Sequence, residues 1–126
     1  MKSFFCAILA LGLASAAPAY SKSGALSNSE LMQLTENGIS LILGGPDLGY
    51  TGKLKLTKDG KGRGSATTDA GDKIDIRGTW SIQGDQFCRI WKSLNDGKEV
   101  CETWVSTSDR SVDVYNGDKK IGKNSW

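Results

Sequence analysis

Few side chains in this chain are equipped for chemistry, and their spacing narrows the choice further. Cysteine occurs at 6, 88 and 101, and histidine does not occur at all. Without histidine there can be no Ser-His-Asp or Cys-His nucleophile, no histidine-ligated zinc and no histidine pH switch. Cys6 lies in an N-terminal apolar run that reads as a removable leader, so in an oxidising compartment Cys88 and Cys101 have only each other as partner. They are not in C-x-x-C spacing, and nothing local would lower a thiol pKa, so a structural disulfide is expected rather than a redox pair. Asp69, Asp72 and Asp75 are close enough to suggest a cation, but they lack the glycine and glutamate positions of an EF-hand loop, and turn-forming roles explain Asp69 and Asp72. No metal, cofactor or catalytic residue is therefore expected.

Two glycine-containing stretches imitate phosphate loops. Gly60-Lys61-Gly62-Arg63-Gly64-Ser65 has no strand–loop–helix context, and Asp47 to Leu54 ends like a P-loop but lacks its first glycine and its Ser/Thr. Hairpin twist and close strand approach account for these glycines better. The same region is basic: Lys53, Lys55, Lys58, Lys61 and Arg63 face only Asp59. Such a surface could meet an anionic glycan, lipid headgroups or an acidic envelope protein. Lysines that protect exposed strands are the commoner explanation. A net charge of +2 for the whole chain gives no reason to expect nucleic acid as a partner. Of the four tryptophans, Trp80 belongs to an alternating apolar face and is expected in the core. Trp91 and Trp104 are expected to pack across the disulfide, the alternative being a pocket wall for a sugar or an apolar ligand. Trp126 ends the chain without a pattern to place it.

The elements that must position these residues follow from periodicity. Residues 1–19 read as a signal peptide: Lys2, an apolar run from Phe4 to Leu13, then cleavage candidates after Ala16 and Ala19. The run is shorter than the roughly 20 residues of a membrane span, so no transmembrane segment is expected after its removal, and the localisation is expected to be periplasmic or secreted, in a bacterium. A single domain is expected over 20–126. Ser27-Asn28-Ser29-Glu30 forms a capping box, and a helix over about 28–37 follows, with Leu31, Met32 and Leu34 on its apolar side and Gly38 as the stop. From Ile39 the period becomes two, as in Ile74, Ile76, Gly78, Trp80 and Ile82. Strands are expected near 39–43, 49–57, 62–68, 73–83, 86–93, 98–106, 111–115 and 118–122, joined by turns such as Asp59-Gly60, Gly84-Asp85 and Asn95-Asp96-Gly97. A mainly β fold results: an antiparallel meander of about eight strands, closed into a small barrel or stacked as a sandwich, with one helix and one disulfide. A barrel is favoured because closure removes exposed edges.

Gly78-Thr79-Trp80, Gly84-Asp85, Cys88, Trp91, Cys101 and the run Asp113 to Gly117 resemble a group of short exported bacterial proteins of unknown function with a G-x-W…C…W…C pattern. The likeness covers roughly residues 45–120. The G-x-W piece is also similar to lipocalin and avidin barrels and to small barrel inhibitors of secreted bacterial metalloproteases, although it falls here in the middle of the barrel rather than early. The resemblance implies a small exported barrel and transfers no catalytic residue. Two roles are expected from it and from the residues together. The first is non-catalytic binding of a ligand or cell-envelope component, seen as a cavity beside Trp80. The second is inhibition of an exported enzyme such as a protease, by a protein–protein contact through one edge of the barrel or through the N-terminal segment at Ser21 to Ala25.

Overall fold

A computed structural model describes residues 23–126 of the chain. The expected leader, Cys6 and both cleavage candidates lie outside the described residues. The element order is α1 (Asn28–Thr35), then β1 (Ile39–Gly45), β2 (Tyr50–Thr57), β3 (Lys61–Thr68), β4 (Lys73–Gln83), β5 (Gln86–Trp91), β6 (Glu99–Ser108), β7 (Ser111–Asn116) and β8 (Lys119–Ser125). Every strand pairs antiparallel with its successor, and β8 returns to β1 to close a barrel. The sandwich is thus excluded. Expected and observed strands agree except at their ends: β5 stops at Trp91 and β8 runs on to Ser125.

Inward-facing residues alternate along each strand. Leu41 and Leu43, Leu54 and Leu56, Ala66, Ile76, Phe87, Trp91, Trp104, Val112 and Val114 form one buried core. Burying that apolar surface is the main force holding the sheet closed. Glycines make room for the largest rings. Leu56, Gly62, Gly78 and Trp91 lie in one cross-strand row. A β-carbon on Gly62 would overlap the six-membered ring of Trp91, and one on Gly78 would press on the same ring and on the β5 backbone. The indole therefore lies flat across two strands in a channel that only glycine leaves open.

The helix closes one pole. Ser27 caps it and Glu30 reaches back to the Ser27 amide, completing the expected capping box. The Asn28 backbone N–H donates to Asp85 Oδ1 at 2.7 Å, and its side-chain amide donates to Gly84 O at 2.6 Å, so the β4–β5 turn holds the helix start. The expected apolar side needs correction. Leu31 and Thr35 are the residues buried against the barrel, whereas Met32 is 54% exposed. Thr35 can be buried because its hydroxyl donates to Leu31 O within the helix. The helix ends at Thr35, two residues early, where Gly38 N–H turns back to Thr35 O.

The segment before the helix is not a free arm where it is described. Ala25 pairs with Val105, Leu26 N–H donates to Trp104 O, and Ser106 N–H donates to Gly24 O. β5 pairs with β6 only up to Glu102, so residues 24–26 fill the vacant edge of β6 beyond it. Trp126 finds its place at the same pole, its N–H on Arg110 O and its carbonyl accepting from Arg110 Nε.

Candidate functional site

The opposite pole carries no α-helix, only the single 3-10 turn Asn95–Gly97. It is built from the turns around 46–49, 69–72 and 117–118 and from the longer β5–β6 connection at 92–98. In that connection Asn95 and Asp96 adopt left-handed conformations, and Leu94 turns inward. Beneath this pole lies a cavity of about 220 Å³ inside the barrel. An eight-stranded barrel is just wide enough to be filled by side chains or to hold one small ligand. Its apolar wall includes Leu43, Ala66, Ile76, Phe87, Trp91 and Trp104. Trp91 and Trp104, expected in the core, are buried at 3% and 0% exposure and also form the cavity wall. Trp80, around which a cavity was expected, does not line it. Its ring stacks on Phe87 with centroids 5.8 Å apart, and its Nε1 donates to Thr57 O and Lys61 O, which ties it below the cavity.

The wall also holds an ion pair. Arg89 Nε lies 2.7 Å from Glu102 Oε2, with side chains 11% and 7% exposed. The other carboxylate oxygen, Oε1, accepts from Trp104 Nε1 at 3.1 Å, and Arg89 Nη1 donates to Asn95 Oδ1 at 3.1 Å. A chain of hydrogen bonds thus runs from Trp104 deep in the core to Asn95 in the mouth loop. Each Glu102 oxygen receives one donor, the condition under which a buried charge pair is tolerable. Arg89 keeps guanidinium N–H groups beyond those two bonds.

Two more polar side chains face the cavity. Asn124 is 8% exposed and lines it, yet its side-chain amide hydrogen-bonds to no described residue. Tyr50 reaches across β1 to β8, where its hydroxyl oxygen accepts from Lys123 N–H. A β-carbon on Gly122 would overlap that hydroxyl, and one on Gly44 would press on the ring. Burial pushes the Tyr50 hydroxyl above its ordinary value of 10.0; the Lys123 amide opposes this, the Glu102 charge adds to it and the Arg89 charge subtracts.

Arg89 and Glu102 were not singled out from the sequence. The missing signal was parity. Trp91 and Trp104 point inward, and residues two positions away on a strand share their face, so Arg89 and Glu102 must point inward as well.

The other expected residues are on the outside. Cys88 and Cys101 form the disulfide, opposite each other across β5 and β6 with Cα atoms 4.0 Å apart, on the face away from the cavity. Lys53, Lys55, Lys61 and Arg63 are exposed on the outer wall. Asp69, Asp72 and Asp75 do not gather into a set of metal ligands among the described residues. The one triad that comes close together, Cys88, Glu99 and Cys101, has both sulfurs committed to the disulfide. Among the described residues no helix is long and apolar enough to cross a membrane. Comparison of the chain with family models, with curated proteins and with solved structures found no match.

Proposed function

We propose that this barrel is a non-catalytic, exported binding domain that takes one small, uncharged, mostly apolar molecule through the pole opposite α1. The carrying observation is the cavity: an apolar, tryptophan-walled space with the unpartnered Asn124 amide and spare Arg89 donors on its wall. Among the described residues no buried polar side-chain atom is left without a partner, so the Asn124 amide is open to water, which a hydrogen-bonding guest would replace. Size supports a small guest. The volume is below the roughly 300–1,000 Å³ of sites for drug-sized ligands and above the about 150 Å³ of a dry cavity that holds benzene.

Charge decides the head group. Glu102 already compensates Arg89. A guest carboxylate would leave the barrel interior with a net negative charge, and an uncompensated charge in apolar surroundings is costly. A carbonyl or hydroxyl oxygen can accept from Arg89 and Asn124 without that penalty. The enzyme-inhibitor alternative has less support, because residues 24–26 are paired to β6 instead of forming an arm.

Titration of Trp91 and Trp104 fluorescence tests the reading with two probes of equal size, acetophenone and benzoate. Saturable binding of acetophenone at least tenfold tighter than benzoate is expected. The variant Ala66→Leu, which fills the cavity from β3, should abolish it while urea unfolding shows the barrel intact. Tighter binding of benzoate overturns the head-group assignment, and undiminished acetophenone binding to Ala66→Leu overturns the cavity as the site.

A further inference from the structure

The basic stretch noted in the sequence is half of a larger feature. On the outer wall Lys55 of β2 is directly opposite Arg63 of β3, and Arg63 is directly opposite Arg77 of β4. Lys92, whose N–H donates to Arg77 O, continues the row from the end of β5. Neighbouring strands lie about 4.8 Å apart, so four cations stand in a line across the barrel wall, with Lys53 and Lys61 beside them. All six are exposed.

Like charges directly opposite each other on a sheet destabilise it, and here they are left uncompensated. Among the described residues no carboxylate lies within salt-bridge distance of Lys55, Arg63 or Lys92, and Arg77 reaches only Asp75 at 4.0 Å, with both side chains more than half exposed. The row does not reflect a generally basic protein. Residues 23–126 carry as many acidic as basic side chains, so positive charge is concentrated on this wall. Protecting an edge cannot be its purpose either, because β2, β3 and β4 are all internal to a closed sheet. That removes the explanation the sequence alone favoured.

The surface has a shape as well as a charge. Lys55, Thr57, Lys61, Arg63, Arg77 and Thr79 rim a depression of about 510 Å³ on the outer wall. A flat bilayer cannot follow a depression on a convex barrel, whereas a narrow chain can lie in it. Single-stranded nucleic acid sites add aromatic platforms to the basic groove, but on these strands the large ring, Trp80, is turned inward. The Thr57 hydroxyl already donates to Asp59 and to Lys61 O, so Thr79 is the threonine that suits the hydroxyls of a sugar chain.

We infer that the outer wall of β2–β4 is a second binding site, for a linear acidic polysaccharide laid across the Lys55–Arg63–Arg77–Lys92 row. It is separated from the cavity by the thickness of the sheet and does not depend on it. The test is isothermal titration at about 0.15 M salt, where screening limits unspecific attraction, with polygalacturonate as the carboxylated probe and heparin as the sulfated one. Single-stranded DNA and phosphatidylglycerol vesicles serve as comparators. Arg63→Ser/Arg77→Ser should weaken polysaccharide binding at least tenfold and raise Tm, since like-charge repulsion is relieved. Lys98→Ser/Lys119→Ser, which removes two charges elsewhere, should change binding less than twofold. Equal losses in the two double variants, tighter binding to DNA or vesicles than to both polysaccharides, or no polysaccharide binding at all would each overturn the assignment.

Discussion

Replacing one member of the Arg89–Glu102 pair is the sharpest probe of the barrel interior. Both side chains are about nine-tenths buried and joined at 2.7 Å. Removing one partner of a buried pair costs about 3–5 kcal/mol, because the other is left as an uncompensated charge. Arg89 keeps its bond to Asn95 and a share of the mouth, which places Glu102→Gln near the lower figure, at about 3 kcal/mol. Glutamine also preserves an acceptor for Trp104 Nε1, so the cost reports charge rather than a lost indole bond. Arg89→Met strands the carboxylate and should cost about as much at neutral pH. At about 4–8 °C per kcal/mol for a domain of this size, each single variant loses roughly 12–24 °C in Tm. The double variant Arg89→Met/Glu102→Gln has no stranded charge and should lie within about 1 kcal/mol of the parent, although independent effects would sum to about 6 kcal/mol. Urea unfolding followed by tryptophan fluorescence measures all four proteins. A double variant as unstable as the sum of the singles would refute the argument, because it would mean that the two groups do not compensate each other.

Two further outcomes follow from the site. The folded state favours the neutral Tyr50 hydroxyl, so its contribution is fully present below the ordinary value of 10.0 and is lost as pH rises through the higher folded value. Between about pH 9 and pH 11, thermal unfolding should therefore show the parent losing stability more steeply than Tyr50→Phe, and parallel curves would contradict this. The disulfide closes a loop with a sequence separation of 13, worth about 3 kcal/mol in the chain-entropy model. Cys88→Ala/Cys101→Ala should lose about that much in urea. Its acetophenone affinity should stay within twofold of the parent, because the bridge is on the outer face; a tenfold loss would place the sulfurs on the wrong side of the wall.

The fold was largely legible because Ile74, Ile76, Gly78, Trp80 and Ile82 alternate cleanly with polar residues, and Asp59-Gly60 and Gly84-Asp85 mark hairpins. β5 hid the site for the opposite reason. In Gln86–Trp91 the charged Arg89 points in and the apolar Ile90 points out, 38% exposed, so hydrophobicity alone gives the wrong face. Barrel closure was also beyond local pattern, since β1 and β8 lie at opposite ends of the sequence and neither carries a residue that names the other. Met32 misled because helical spacing alone does not say which side the barrel will touch. Asn124 was invisible in a different way: an asparagine near the end of a chain signals nothing until Leu43 and Val112 close around it.

The join between first and last strands rests on two residue pairs, Ile42 with Ser125 and Leu43 with Asn124, and on the Tyr50 hydroxyl that accepts from Lys123. Every other pairing between two strands of the barrel is between sequence neighbours and can form early, as local hairpins do. Among the strand pairs the seam alone must wait for β8, so folding resembles a zipper whose last tooth is the eighth strand. A chain cut before β8 would be an open sheet with two bare edges, the form in which β-proteins find one another and aggregate. In the intact protein the same seam is where amide hydrogens should exchange first, before any of the seven hairpins loosens.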